Sequence, residues 1–327
     1  AFVACVPGMH IYMLLGLALA LAGPGLSLSA AFAAPAFMAA ITSWAILNSM
    51  TSIVMAAPDE SALFTVLPGQ QYLLAGCGRE AILLTTAGGL GGIIVSLAVG
   101  YLFGPWLATV RSVLQPHFHW MLWLVICFML MSEWPQQRLL GETGWRNWRA
   151  AWRGPGAGLL TFLLAGLLGV IVMARPLLDP AMSFQGLAPI FVGLFGMPQL
   201  IVNWLGRTAI PAQVVPPDRL PVNGYQFLKG VLAGVLGGGF AAFIPAVTGG
   251  IGGMLAGHAT AQRDSRIFLV AQGASKAAYY SGAFLLLFAP GLRLAHGGGA
   301  ALYRMANPAV SGNEFLLAIG AALVAGT

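Results

Sequence analysis

The chain has 327 residues, of which 58% are hydrophobic and only 7% are charged, whereas about 25% of the residues of an ordinary globular domain are charged. So few charges cannot cover the surface of a soluble protein of this size, and an all-α, polytopic integral membrane protein in contact with the lipid bilayer is predicted instead. The formal net charge of +6 comes from scattered or loop residues without an aromatic–basic surface, which excludes nucleic acid as a partner.

The ends of the chain and its cysteines carry little chemistry. The chain starts at Ala1 rather than at a methionine and stops at Thr327 inside an apolar run, so we expect a processed or partial piece of a longer protein. Cys5, Cys77 and Cys127 show no paired spacing and lie among apolar or small residues. We therefore expect inert membrane cysteines rather than a disulfide or a metal site.

Apolar segments follow one another along the whole chain. A transmembrane helix needs about 20 apolar residues, and roughly eight to ten hydrophobic segments can be distinguished. They cover residues 11–22, 27–57, 81–107, 120–131, 156–174, 188–204, 227–257, 268–290 and 314–325. Several are too long, or too interrupted by proline and glycine, for one straight helix, which predicts broken or re-entrant helices.

The sequence divides into two transmembrane halves, residues 1–154 and 155–327. The first half contains a re-entrant segment near 57–70, and the second contains a broken segment near 244–250. Breaks at corresponding places predict an inverted repeat and indicate where a transporter binds its substrate. The first half ends in a basic, Trp-rich loop, 133–154, which predicts a cytoplasmic loop beside an interfacial aromatic belt and a multi-pass protein of the cytoplasmic (inner) membrane.

The strongest candidate site is the first interrupted segment, with Pro58, Asp59, Glu60 and Ser61. Pro58 breaks a helix, and irregular backbone at membrane depth is tolerated only where protein or a water-filled cavity satisfies it. Freed carbonyls and carboxylates there would bind Na⁺ or H⁺ as a coupling ion, and a helix N-terminus would face an anion. The alternative is a plain interfacial loop whose carboxylates lie in water.

Lys276 is the second candidate, because an ionisable residue inside a membrane segment costs several kcal/mol unless it is paired or hydrated. It would act as an anion-binding cation or as a partner of Asp59 or Glu60. In the alternative, Lys276 snorkels to the membrane surface, and the adjacent Tyr279 and Tyr280 would suit such an interface.

Other candidate substrate- or ion-binding residues accompany the proline- and glycine-bearing breaks. They are Pro7, Gly8, His10, Pro245, Thr248, Gly249, Gln272 and Ser275. His10 at a helix start would carry a proton or contact an anion, or would be a hydrogen-bonded interfacial histidine. His117 and His119 lack further ligands, so no metal site is predicted. The chain shows no nucleophile elbow, P-loop, zinc signature or dinucleotide fingerprint, so neither an enzyme nor a cofactor is predicted.

Seven short motifs occur in order along nearly the whole chain. They are PGMH at 7–10, APDESA at 57–62, VLPG at 66–69, GREA at 78–81, GLFG at 193–196, IPAQ at 210–213 and FLVAQG at 268–273. Together they resemble the tripartite tricarboxylate transporter permease family (TctA), and most closely its less characterised branch known mainly from archaea.

The resemblance implies an inverted-repeat permease with paired re-entrant segments. Such a permease takes up carboxylates with an ion gradient, alongside a small membrane subunit and an extracytoplasmic binding protein. The well-known branch carries an Asn-Thr-Pro-Gly-type segment where this chain has AAPDE at 56–60, and a Pro-Gly loop where it has PAVT at 245–248. The acidic residues would repel a carboxylate, which leaves ion coupling or a different cargo open.

Three functional hypotheses follow. The leading one is a permease that moves a small anionic solute past Asp59, Glu60, Thr248 and Lys276 by ion-coupled alternating access. The second is a translocase for a polyprenyl-phosphate lipid carrier, which needs a groove open to lipid with Lys276 or an arginine on the lipid phosphate. The third is a non-transporting membrane subunit of a larger complex, which needs no polar cavity but a large apolar interface.

Overall fold

The computed structural model describes residues 2–22, 30–135, 144–174, 188–206, 209–214, 220–260, 264–307 and 314–326. Every regular element within these ranges is helical, which confirms the all-α prediction. Not every proline within an apolar segment interrupts a helix; Pro35, for example, lies inside one.

The first part of the chain forms nine α-helices among the described residues. They are α1 (Ile11–Ala22), α2 (Ala30–Leu47), α3 (Ser49–Val54), α4 (Val66–Leu74), α5 (Gly78–Phe103), α6 (Leu107–Leu114), α7 (Phe118–Ser132), α8 (Gly144–Ala151) and α9 (Arg153–Ala174). Single turns of 3₁₀-helix at Phe2–Cys5, Leu63–Thr65, Gly104–Trp106 and Gln115–His117 precede α1, α4, α6 and α7.

Seven more helices follow in the described residues. They are α10 (Ala188–Phe191), α11 (Met197–Gly206), α12 (Gly224–Phe243), α13 (Gly249–Ala259), α14 (Ser265–Leu285), α15 (Gly297–Ala306) and α16 (Glu314–Gly326). A π-helical turn, Val192–Gly196, joins α10 to α11, so Pro198 does not break that segment.

Five helical stretches are long and apolar enough to cross a bilayer. They are Phe32–Val54, Gly78–Ser132, Gly144–Val172, Ala188–Gly206 and Gly224–Phe243, and the shorter Ile11–Leu21 and Glu314–Gly326 are also apolar. The 55 residues of Gly78–Ser132 exceed the roughly 20 that one span needs. The chain is therefore a multi-pass, α-helical membrane protein, as the sequence predicts.

The central helix is α14, which packs against α5, α12, α13 and α2. It can approach its neighbours closely because small residues face each other. A Cβ atom on Gly273 would overlap the carbonyl oxygen of Thr85 in α5, and one on Gly237 in α12 would overlap the carbonyl of Gly252 in α13. Backbone-to-backbone packing of this kind is typical of helices in membrane proteins.

Residues 133–154, predicted to be a loop, contain α8 and the first turn of α9, while residues 136–143 lie outside the described part. The loop prediction is wrong for residues 144–154, because tryptophans and arginines that recur every three or four residues form an amphipathic helix. The predicted division into halves at residues 154 and 155 falls in the first turn of α9 and stays a prediction.

Two other apolar segments are divided where polar or proline residues occur. Segment 227–257 is split into α12 and α13 by residues 244–248, as the predicted break near 244–250 requires. Segment 27–57 is split at Asn48 into α2 and α3, and its first residues, 27–29, lie outside the described part.

Candidate functional site

Two interruptions of the helices share an unusual backbone feature. The first break, residues 55–62, follows α3 and contains Pro58, and the second break, residues 244–248, follows α12 and contains Pro245. Ala56 has φ = 52° and Ala246 has φ = 65°. A non-glycine residue in this left-handed region costs of order 1–3 kcal/mol and persists only where the surroundings impose it.

The two breaks lie against each other although they are far apart in sequence. The hydroxyl of Thr248 donates a hydrogen bond to the carbonyl oxygen of Glu60 over 3.0 Å. A Cβ atom on Gly250, at the start of α13, would lie only 2.9 Å from the carbonyl oxygen of Ser61. Residue 250 must therefore be small for the breaks to meet.

Lys276 reaches from the centre of α14 to the first break. Its Nζ lies 3.0 Å from Oδ2 of Asp59, donates to Oδ1 of Asn48 over 2.7 Å and lies 4.8 Å from the centre of a Trp44 ring. Lys276 is 1% exposed and Asp59 is 8% exposed. Because both charges are removed from water, each depends on the other for its stability.

A second polar group surrounds Glu60. The hydroxyl of Tyr280 donates to Oε1 of Glu60 over 2.7 Å, and Nε2 of His10 lies 3.2 Å from the same oxygen and 3.1 Å from the Tyr280 hydroxyl. Ser61 donates its hydroxyl to Tyr280 over 3.2 Å. The backbone N–H of Tyr12 donates to Nδ1 of His10, so Nδ1 acts as an acceptor and Nε2 is the ring nitrogen that faces Glu60 and Tyr280.

These two groups form one polar cluster, composed of His10, Asn48, Asp59, Glu60, Ser61, Lys276 and Tyr280. Its formally charged members are two acidic residues and one lysine; Asp59 and Lys276 are buried, whereas the Glu60 side chain is 26% exposed.

A small cavity opens beside the polar cluster. It is lined by Gly8, Met9, His10, Trp44, Asn48, Ala57, Pro58, Asp59 and Phe191. Its volume is about 10 Å³, and one water molecule needs roughly 10–15 Å³. The site as it stands admits a water or an ion, and it excludes a solute of several heavy atoms.

The second break leaves the start of α13 without a side-chain cap. Thr248 is its N-cap residue, yet its hydroxyl is used on Glu60 rather than on the first amides of α13. By contrast, Asn223 forms a capping box on α12 and Asp264 caps α14. Uncapped amides at a helix N-terminus favour a negative ligand.

Three possible metal ligands belong to the polar cluster. In the part of the chain that the structure describes, each of His10, Asp59 and Glu60 offers one ligand atom, and these three atoms lie within 4.8 Å of one another. However, Lys276 already pairs with Asp59, and Tyr280 already donates to Glu60. Two of the three candidate ligands therefore already have partners within the protein.

The structure brings most of the predicted site residues together. His10, Asp59, Glu60, Ser61 and Lys276 belong to the polar cluster, Pro58 and Gly8 line its cavity, and Thr248 contacts it. The hydroxyl of Ser275 donates to the carbonyl of Gly249 over 2.6 Å, which fixes α13 on α14.

Three predicted residues lie beside the polar cluster rather than in it. Pro7 packs against Gly196 of the π-helical turn, and Pro245 forms the turn of the second break. Gln272 lies one turn before Lys276 and faces Gly253. It is 1% exposed, and its amide has no hydrogen-bond partner among the described residues.

Sequence reasoning missed Asn48, and it considered Tyr280 only within the alternative in which Lys276 snorkels. Tyr280 is 1% exposed, so the suggestion that it lies at a membrane surface is wrong, and Lys276 does not snorkel. The signals were present: Tyr280 is four residues after Lys276 and therefore on the same helix face, and Asn48 is an amide within an apolar segment.

A second, larger cavity of about 350 Å³ lies between α5, α12 and the end of α14. Its lining includes Val99, Tyr101, Phe243, Leu286 and Phe315, and no charged residue of the described chain lines it. None of its lining residues belongs to the polar cluster.

Comparisons with known proteins agree with the motifs. The model of the "Tripartite tricarboxylate transporter TctA family" matches residues 1–303. An uncharacterised protein of Methanocaldococcus jannaschii is 25% identical over 228 residues, which are 69% of this chain and 51% of that protein, so the match spans about half of the relative. No solved structure matches the chain. Because the family model covers most of the sequence, the chain belongs to the TctA family of tripartite tricarboxylate transporters.

Proposed function

We propose that this chain is the membrane-embedded permease part of a transporter and moves a small anionic solute by alternating access coupled to Na⁺ or H⁺. The observation that carries the proposal is the buried polar cluster at the contact between the two breaks. Family membership supports transport, and it argues against an enzyme.

The energetic cost of the polar cluster supports a role in transport. Replacing a buried ion pair by apolar residues of similar volume is often neutral or stabilising, so Asp59 and Lys276 are not needed to hold helices together. Ionisable residues inside membrane proteins mark substrate and ion pathways. Their position between two broken helices is the arrangement by which transporters bind solutes and ions.

The excess of acidic residues over lysine in the polar cluster supports cation coupling. A cation that neutralises Asp59 would free Lys276 from its partner at 3.0 Å. An anionic solute would then take the place of the Asp59 carboxylate on Lys276, close to the uncapped amides of α13. The cation and the solute would favour each other's binding. The cation would neutralise Asp59 and free Lys276, and the anionic solute would then neutralise Lys276.

The small cavity supports assignment of this conformation to a closed state of the cycle. A carboxylate-bearing solute does not fit into about 10 Å³, so the breaks must separate before it enters. We propose that the two breaks are the corresponding segments of an inverted repeat, since each combines a proline with a left-handed alanine.

The two alternatives have less support. A lipid-carrier translocase needs a cation on the lipid phosphate, but Lys276 is buried against Asp59 and the larger cavity is apolar. A non-transporting subunit has no use for the polar cluster. The family further suggests work with a small membrane subunit and an extracytoplasmic binding protein in the cytoplasmic membrane, with residues 133–154 on the cytoplasmic side.

Transport by the full-length protein in proteoliposomes tests the proposal. Uptake of mono-, di- and tricarboxylates is measured under an imposed Na⁺ or proton gradient, for the wild type and for Asp59→Asn and Lys276→Ala. We expect both variants to lose gradient-driven uptake. Arg266→Gln is the matched control, because it removes an exposed cation from the same helix. Wild-type uptake rates in both Asp59→Asn and Lys276→Ala would overturn the site assignment.

A further inference from the structure

The bend after α7, the helix α8 and the turn between α8 and α9 carry a row of tryptophans. Trp145 and Trp148 stack with ring centres 4.6 Å apart, Trp152 lies 5.9 Å from Trp148, and Trp134 lies 5.4 Å from Trp152. We call these four residues the tryptophan ladder. Trp145 is 66% exposed, Trp148 47% and Trp152 42%, so the ladder presents a large apolar surface outside the protein core.

A row of arginines runs beside the tryptophan ladder. The row consists of Arg146, Arg149 and Arg153, and each of them directly follows a tryptophan of the ladder in sequence. All three arginines are exposed. No described carboxylate lies within ion-pair distance of them. We call these residues the arginine stripe; residues 144–153 carry its three positive charges and no acidic residue.

The position of α8 fixes its depth relative to the bilayer. Arg153 begins α9, and the apolar stretch that contains α8 and α9 is long enough to span the membrane. The tryptophan ladder and the arginine stripe therefore lie at one end of that stretch. Indole rings favour the level of the lipid headgroups, where one edge is apolar and the other is wet.

We propose that the arginine stripe binds the phosphate groups of anionic phospholipids in the adjoining leaflet, while the tryptophan ladder inserts at the level of the headgroups. A guanidinium group matches a phosphate with two parallel hydrogen bonds. Zwitterionic lipid offers the same phosphate without net charge, so only anionic lipid adds a net attraction to the three arginines. This function is independent of the proposed transport activity.

The tryptophan ladder favours lipid over an acidic protein segment as the occupant. A protein partner would have to cover exposed indoles and arginines together, whereas the membrane surface does so without any additional chain. The continuity with α9 also places both rows against lipid already. Binding of an acidic partner is the other outcome that the experiment distinguishes.

Native mass spectrometry of the full-length protein tests the proposal, with phosphatidylglycerol and phosphatidylcholine as probes. The variant R146Q/R149Q/R153Q is compared with R79Q/R293Q/R304Q, which removes the same charge from other exposed positions. We expect phosphatidylglycerol affinity to fall about fivefold per arginine in the stripe variant. The control variant should stay near the wild type, and phosphatidylcholine affinity should change in neither.

Quenching of tryptophan fluorescence gives a second measurement. In bilayers that contain brominated phosphatidylglycerol, the wild type should be quenched more than in bilayers with brominated phosphatidylcholine, and W145F/W148F/W152F should lose that difference. Equal affinity of the wild type for the two lipids, or equal losses in the stripe and control variants, would overturn the proposal and would favour a protein partner for the arginine stripe.

Discussion

The two breaks share a backbone conformation but present different chemical groups. Both interrupt a helix with a proline, and both place an alanine in the left-handed region, Ala56 at φ = 52° and Ala246 at φ = 65°. The first break then carries Asp59 and Glu60, whereas the second is followed by the uncapped start of α13. The first therefore favours a cation, and the second favours an anion.

The difference explains why the breaks face each other. Each alone would leave a charge or a set of backbone groups unsatisfied inside the protein. Together they share Thr248, whose hydroxyl satisfies a carbonyl of the first break instead of capping its own helix. Two helix breaks with similar backbones can therefore satisfy each other's polar groups instead of having the same role.

The largest expected effect tests the charged side of the comparison. Lys276→Ala leaves Asp59 buried without its cation and should lower the free energy of unfolding by about 3–5 kcal/mol. Denaturant titration in detergent measures this loss. Lys276→Ala combined with Asp59→Asn should recover much of it, since the buried charge of Asp59 is then removed together with its partner. A single variant within about 1 kcal/mol of the wild type would contradict the burial of a charged pair.

An intermediate effect tests the contact between the breaks. Gly250→Ala places a Cβ 2.9 Å from the carbonyl oxygen of Ser61 and should lower the free energy of unfolding by about 1–3 kcal/mol, as overpacking does. Solute uptake by the same protein should fall as well. Gly239→Ala is the control, because a Cβ there meets no atom within 4 Å. Equal stability of the two variants would show that the breaks do not require close contact.

The smallest effect tests the uncharged side. Thr248→Val keeps the shape of residue 248 but removes the donor to Glu60, and should cost about 0.5–1.5 kcal/mol of unfolding free energy. Thr248→Ser should retain the hydrogen bond, and Thr161→Val changes an exposed hydroxyl that bonds only within its own helix. If Thr248→Ser and Thr248→Val unfold alike, the shared hydrogen bond is not what joins the two breaks.

The sequence predicts the charged members of the site because charge is conspicuous among apolar residues. Asp59, Glu60 and Lys276 were identified in this way. The sequence cannot show that Thr248 meets Glu60, since 188 residues separate them and no local pattern records the contact. The left-handed alanines are also invisible, because glycine is the residue that ordinarily marks such a backbone conformation.

Helix content was predicted well, but the ends of helices were not. Apolar composition reveals membrane segments, yet it does not say where a segment ends. Residues 144–151 form a helix, although their arginines and tryptophans suggested a loop. The spacing of these side chains indicates a helix, whereas their chemical character alone suggested a loop.

The direct backbone contacts of Gly273 with Thr85 and of Gly237 with Gly252 limit how the molecule can open. At these points backbone packs directly against backbone, and close-packed interiors deform little. We therefore expect α5, α12, α13 and α14 to move as one rigid body. If they do, opening of the small cavity would have to come from movement of its other wall, where Gly8 and Phe191 lie.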